Sequence, residues 1–195
     1  MKKVLTKSGI REDNVFSDAD KALIADVKVR IAEHMSNMIR QPWAKSYLPW
    51  DSMYLTGGAI ASLLQGETPK DWDFYFDNQA AMEGVQSHLL KFESNIKDVD
   101  PKYAEVYGAN GKMVTSQAIT MDEGSSFITM MVDPPEKLKK SFDFVHCMPH
   151  YRDGKLYISY DQFRYAINKQ LKENNPLNVK EWRVQKFLQR GYVKV

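Results

Sequence analysis

Tyr54-Leu55-Thr56-Gly57-Gly58-Ala59-Ile60-Ala61-Ser62-Leu63-Leu64, followed after Gly66 by Lys70-Asp71-Trp72-Asp73-Phe74-Tyr75-Phe76, is the stretch whose reading decides the fold. Residues 53–55 read as a short strand and Gly57-Gly58 as a tight turn. Residues 59–64 read as a helix, since small and aliphatic side chains follow the turn without a break. Glycine at such a turn lets the backbone approach a ligand with no Cβ in the way, and the helix beyond it offers unpaired N–H groups to anions. In the second segment, residues two apart on a strand share a face, so Asp71 and Asp73 project together while Trp72 and Phe74 project oppositely. Two carboxylates side by side repel unless something positive sits between them, and a divalent metal is the usual answer.

The 195 residues suffice for one good-sized core, or a larger unit with a small helical appendage. Hydrophobic residues at 43% and charged residues at 27% are ordinary for a soluble globular chain. A net charge of +2 supplies no strong field for nucleic acid, so local basic clusters would have to do that work. The single Cys147 excludes an internal disulfide framework and suits a reducing compartment. No stretch is apolar for long enough to span a bilayer, and the basic start lacks the apolar run of a signal peptide; the expectation is a cytoplasmic protein with no membrane partner.

Outward from the central stretch, residues 1–16 read as a loosely held polar arm. Ser17-Asp18-Ala19-Asp20 starts a helix to about Ile39, with Leu23, Val27, Ile31 and Met35 at four-residue steps and Ile24 and Met38 extending the face. Gln41-Pro42-Trp43 ends it, and Trp43, Tyr47, Leu48, Pro49 and Trp50 form an aromatic connector. Asn78 reads as the cap of a helix to about Phe92, with Leu89, Leu90 and Phe92 as its apolar end. Residues 103–107, 112–120 and 125–132 read as strands, with turns at Asn110-Gly111 and Asp122-Glu123-Gly124. Residues 142–147 and 155–160 read as further strands, the latter after the Asp153-Gly154 turn. Residues 161–172 and 178–190 are helical, with apolar faces of Phe163, Ala166, Ile167 and Leu171 in one, and Trp182, Val184, Phe187 and Leu188 in the other.

Three other groups invite attention. His146, Cys147 and His150 cluster at metal-like spacing, but one cysteine and no second pair argue against a structural zinc. Strand parity places His146 opposite Asp143, in core or rim. Lys137-Leu138-Lys139-Lys140 reads as a solvated run or a phosphate contact. Arg164, Lys169, Lys172, Arg183, Lys186 and Arg190 decorate the last two helices, either as a basic wall for phosphates or an RNA end, or as an exposed face. Asp77 reads as a residue leading into a helix rather than a ligand.

The Gly57-Gly58 turn, the twelve intervening residues 59–70 and the Asp71-x-Asp73 strand resemble the DNA-polymerase-beta-like nucleotidyltransferase superfamily. Members carry a hydrophobic residue, Gly-Gly or Gly-Ser, a gap of this order, and an Asp-x-Asp flanked by hydrophobics. They add a third carboxylate from a later strand, for which Ser141-Phe142-Asp143-Phe144-Val145-His146 offers Asp143. The resemblance implies that Asp71 and Asp73 bridge two Mg2+ (or Mn2+) ions and that Asp143 binds the ion nearer the attacking hydroxyl. It implies that Gly57 and Gly58 hold the triphosphate through backbone N–H groups, with Ser62 adding a phosphate hydrogen bond. Many tRNA-end-adding members carry an Arg-Asp pair where this chain has Ala61-Ser62, which speaks against that substrate; in its size the chain resembles the compact stand-alone members found in phages, mobile elements and toxin–antitoxin pairs.

The expected fold is therefore α/β (α+β): a mixed β-sheet nucleotidyltransferase core over residues 1–160 with an N-terminal helix, and a C-terminal helical lobe over residues 161–195. The expected activity is Mg2+-dependent transfer of a nucleoside monophosphate from a nucleoside triphosphate to the hydroxyl of an RNA, protein or small-molecule acceptor. The alternative is an inactive binding or structural protein on the same fold, such as a component of a virion or complex.

Overall fold

A computed structural model describes residues 4–6, 9–11, 15–41, 43–44, 48–92, 106–107, 113–115, 117–121 and 123–195. In chain order the elements are β1 (Val4–Thr6), β2 (Gly9–Arg11), α1 (Asp18–Ile39), β3 (Met53–Thr56), α2 (Gly58–Leu64), β4 (Trp72–Phe76) and α3 (Gln79–Phe92). Then come β5 (Val106–Tyr107), β6 (Met113–Val114), β7 (Ala118–Thr120), β8 (Ser125–Val132), α4 (Pro135–Leu138), β9 (His150–Arg152) and β10 (Lys155–Tyr157). The chain closes with α5 (Tyr160–Ile167), β11 (Gln170–Leu171), α6 (Glu181–Gln189) and β12 (Val193–Lys194). Asn110-Gly111, Asp122, Pro42, Tyr47 and residues 103–105 lie outside the described residues, as do the side chains of Leu90 and Phe92.

One eight-stranded mixed sheet, in the order β10-β9-β3-β4-β8-β7-β6-β5, forms the body. Its central pair β4–β8 is parallel and the other neighbours are antiparallel. The helices flank this sheet, and the fold is the expected mixed α/β one. Alternation along β4 sorts its side chains. Trp72, Phe74 and Phe76 face α1 and β8, where Trp72 stacks on His34 at 3.9 Å and Phe74 lies 5.8 Å from Phe127. Asp73 and Tyr75 face the other way, towards the turn after β3.

Ser17 starts α1 with a capping box: its hydroxyl accepts from the Asp20 amide at 3.1 Å while its own amide donates to the Asp20 carboxylate at 2.9 Å. Val27, Ile31 and Met38 are fully buried, and Leu23, Ile24 and Met35 pack at the edge of the same core. Burying each such side chain contributes about 1.5–3 kcal/mol, which fixes α1 across the sheet. Helix α2 is buried from Ala59 to Leu64, as a short helix apolar on all sides must be. Asn78 caps α3, accepting from the Ala81 amide at 3.0 Å.

Several elements differ from the expectation. Residues 112–120 divide into β6 and β7, because the Thr115 hydroxyl accepts from the amides of Gln117 (3.1 Å) and Ala118 (3.0 Å) and turns the chain. Residues 4–11 contain the antiparallel pair β1–β2. Residues 142–147 are not a strand: Phe142 and Asp143 form a bend, a lone bridge joins Phe144 to Glu173, and residues 145–147 form a 3-10 turn. Helix α5 stops at Ile167 because Lys169 adopts a left-handed φ of 49°, after which β11 pairs in parallel with β12. In α6, Val184 and Phe187 are buried as expected, whereas Trp182 is 64% exposed and Leu188 36%. Phe144 and Cys147 join Leu171, Val184, Phe187 and Tyr192 in a second apolar cluster, which fastens α6 to the segment before β9.

Candidate active site

A cleft of about 460 Å3 opens between the turn after β3, the start of β4 and one face of α6. Gly57 makes the turn with φ 89° and ψ −150°, a region open in practice only to glycine. The turn is pinned from behind: the Gly57 amide donates to the Cys147 carbonyl at 3.1 Å, and the Thr56 hydroxyl donates to the Pro149 carbonyl at 2.8 Å. The amide of Gly57 is thus occupied, and Gly58 is the glycine whose Cα opens into space, with no atom within 4 Å of where a Cβ would stand.

Asp71 and Asp73 both line this cleft, Asp71 exposed just ahead of β4 and Asp73 part-buried within it. Burial first, and the Asp71 carboxylate second, push the Asp73 carboxyl up to about 6, against the opposing pull of Lys186 and Arg183. A β-strand address for Asp73 puts its carboxylate beneath Gly57, at 3.4 Å from the Cβ that residue lacks. The glycine turn and the acid pair are therefore one feature.

The opposite wall is basic. Arg183 and Lys186 from α6, and Arg190 just past its end, line the cleft together with Lys70. Arg190 donates to the buried hydroxyl of Ser62 at 3.0 Å and to Glu67 at 3.3 Å, while Lys169 reaches Glu67 at 2.6 Å. Ser62 also lines the cleft, where its hydroxyl is held by Arg190. Of the basic residues singled out in the sequence, Arg164 lies over Tyr160 instead and Lys169 serves the Glu67 contact.

Asp143 takes a different place. It is 6% exposed and does not line the cleft. Arg183 grips it with two bonds, Nε to Oδ2 at 2.7 Å and Nη2 to Oδ1 at 3.2 Å, and the Phe144 amide donates to Oδ1 at 3.0 Å. The bend that carries it is clamped by asparagines. Asn174 donates to the carbonyls of Lys139 (3.0 Å) and Phe142 (2.9 Å), and Asn178 to that of Ser141 (2.6 Å). The structure thus brings Gly57, Gly58, Ser62, Asp71 and Asp73 to one cleft and sets Asp143 behind Arg183.

The remaining candidates disperse. His146 is fully buried among Phe144, Phe187 and Tyr192. His150 stacks on Tyr157 at 4.7 Å. Asp77 pairs with Arg152 at 2.6 Å, a contact the sequence did not disclose. Lys137 and Lys139 are taken up by Asp133 and Glu136. Among the described residues no three histidines, cysteines or acids converge in a manner that would hold a metal. Asp71 and Asp73 nonetheless suit a divalent cation whose other ligands come from phosphate and water, since such ions take only one or two carboxylates in nucleotide sites. The raised carboxyl of Asp73 marks negative charge that a cation would relieve.

Solved structures of similar architecture include CCA-adding and tRNA-processing enzymes. A CCA-adding enzyme in complex with CTP matches with a TM-score of 0.51 at 16% identity, over 93% of this chain and 42% of that one. A tRNA-processing enzyme complex matches with a TM-score of 0.50 at 15% identity, over 74% and 40%. The Thermotoga maritima CCA-adding enzyme complexed with tRNA matches at 0.48 and 14%, over 94% and 40%. At such identities the likeness to the first two shows the fold alone, and the chain spans about two fifths of the length of these proteins. The protein is therefore one of nucleotidyltransferase fold. Residues 28–169 match the family described as Gabija anti-defense 2, and the chain belongs to that family. No curated protein matches it.

Proposed function

We propose that the chain transfers a nucleoside monophosphate from a nucleoside triphosphate to an acceptor hydroxyl, with Mg2+ or Mn2+ held at Asp71 and Asp73. The observation that carries this reading is the seating of the Asp73 carboxylate against Gly57 in a cleft whose far wall is Arg183, Lys186 and Arg190. A phosphate chain needs both parts: glycine backbone for close approach and cations to neutralise its charge. Gly58 offers its backbone to the phosphates, Ser62 a hydroxyl, and Lys70, Lys186 and Arg190 their charges. The bound cation would neutralise phosphate charge and favour the ionised acceptor oxygen. In the transfer, the acceptor oxygen bonds to the α-phosphorus and the bond from that phosphorus to the α–β bridging oxygen breaks. Pyrophosphate leaves with the electron pair, and the hydroxyl proton passes to water.

The acceptor is an RNA, a protein side chain or a small molecule. The family's description as anti-defense supports placing it in the defence system that the description names. The same description supports a phage or mobile element as the source and the cytoplasm of the invaded cell as the site of action. A second reading, nucleotide binding without transfer, is favoured by the capture of Asp143 in an ion pair.

The test is incubation with Mg2+ and nucleotides labelled at the α-phosphate, offered total RNA and cell lysate, beside an Asp71→Ala/Asp73→Ala control. Label moved to an acceptor by the wild type alone supports transfer. Nucleotide binding without transfer supports the second reading, and absence of both removes the nucleotide from the account.

A further inference from the structure

We infer that Asp143 is the anchor of Arg183 rather than a metal ligand, so that the cleft takes one divalent cation with its nucleotide and Arg183 supplies a fixed second positive charge to the phosphates. The inference rests on the nucleotidyltransferase reading of the cleft. Both carboxylate oxygens of Asp143 are engaged, Oδ2 by Arg183 Nε and Oδ1 by Arg183 Nη2 and the Phe144 amide. The bend beneath them is not free to turn. The Asp143 carbonyl accepts from the Asn174 amide at 2.7 Å, the Val145 amide donates to the Lys172 carbonyl at 2.9 Å, and three asparagine side chains close on residues 139–142. Turning Asp143 towards a metal would break this part-buried pair and leave the carboxylate, 7% exposed, without its cation.

Arg183 is built to serve two sides. A guanidinium carries five N–H donors in a rigid fork, and the Asp143 contact uses only one edge of it. Its side chain is 28% exposed and lines the cleft, whereas that of Asp143 is 7% exposed and does not. Phe187 and Trp182 flank the guanidinium at 5.4 Å and 5.7 Å and restrict its swing. The acids lining the cleft are then Glu67, Asp71 and Asp73, and since Glu67 is held by Lys169 and Arg190, two carboxylates are left for one hard cation whose shell phosphate and water complete.

The experiment counts cations. Wild-type protein is titrated with Mn2+ in the presence of a non-hydrolysable nucleoside triphosphate analogue, and bound Mn2+ is read from loss of the free-ion electron paramagnetic resonance signal. One Mn2+ per bound nucleotide is expected in the wild type and in Asp143→Asn. Asp143→Asn and Arg183→Ala are each expected to weaken the analogue about tenfold or more, the effect of losing a charge-assisted contact. Arg183→Lys, which keeps the charge without the fork, is expected between them and the wild type. Two Mn2+ in the wild type overturns this inference and leaves the nucleotidyltransferase reading standing. No bound analogue and no Mn2+ overturns both. The wild-type count decides the matter even where a variant fails to fold.

Discussion

The Cα of Gly57 lies over the carboxylate of Asp73, with 3.4 Å between Oδ2 and the Cβ that glycine lacks. Gly57 also sits at φ 89° and ψ −150°, where side chains are strained irrespective of space. Gly57→Ala is expected to lose about 1–3 kcal/mol of stability and to lose nucleotide binding as the turn shifts. Gly58→Ala meets no atom within 4 Å and lies in α2, so its thermal midpoint should match the wild type. Thermal melts of the two variants check this contrast, and equal midpoints for both would refute the role given to Gly57.

Asp73 makes stability depend on pH in an unusual direction. Burial and Asp71 push its carboxyl up to about 6, so in the metal-free protein the folded state holds that proton more tightly than the unfolded chain does. Stability from this group is present at low pH and is lost as pH rises from about 4 through about 6. Asp73→Asn should therefore be more stable than the wild type at pH 7.5 by about 2 kcal/mol and nearly equal to it at pH 4. Mg2+ with a nucleoside triphosphate should then raise the melting of the wild type and not of the variant. Chemical denaturation at the two pH values measures both, and a less stable Asp73→Asn at pH 7.5 would contradict the cause assigned.

Local signals in the chain disclosed local structure. The Ser17–Asp20 capping box, the four-residue periodicity of α1 and the aromatic alternation of β4 are written within a few residues, and the elements stand where those patterns put them. The Gly57-Gly58 turn and the Asp71-x-Asp73 strand were legible for the same reason. Asp143 was not, because its surroundings are set by Arg183, forty positions later, and by Asn174. Phe142-Asp143-Phe144-Val145 alternates like a strand, yet the asparagine clamp bends it. Asn174 and Asn175 fall between the helices expected over 161–172 and 178–190, a stretch with no periodic pattern to mark it, although asparagine amides beside a backbone-rich bend are the available donors for its carbonyls. Lys169, drawn as one more residue on a helix, takes the left-handed turn that ends α5 and bonds Glu67 instead.

Glu67 ties the C-terminal lobe to the helix that carries Ser62. The hydrogen bond from Lys169 at 2.6 Å, with Arg190 at 3.3 Å adding to it, holds the carboxyl below the usual glutamate range. Its contribution is whole above that ordinary value and is lost as pH falls through the lowered one. Because Glu67 is 39% exposed, solvent screening limits the pair to about 1 kcal/mol or less. Glu67→Gln should lower the thermal midpoint at pH 7 by about 2 °C, with the difference shrinking in concentrated salt. A difference that persists in salt would assign the effect to packing rather than charge.

His146 is the clearest case of polarity carried at a cost. It is fully buried, neither ring nitrogen has a hydrogen-bond partner among the described residues, and Phe187 and Tyr192 crowd it at 4.6 Å and 4.7 Å. Burial pulls its pKa down to about 3, with Arg183 and Arg190 adding to the pull and Asp143 opposing it. The folded protein therefore keeps this ring neutral where the unfolded chain takes a proton, and stability falls as pH drops from the ordinary histidine value of 6.5 towards about 3. His146→Leu fills a similar volume without unmet polar atoms and should gain about 1 kcal/mol at pH 7.5. The gain should widen by about 1.4 kcal/mol for each pH unit below 6.5. Urea denaturation of both proteins at pH 7.5 and 5.5 tests this; a gap that stays constant between the two pH values would mean that the ring is not held neutral by burial.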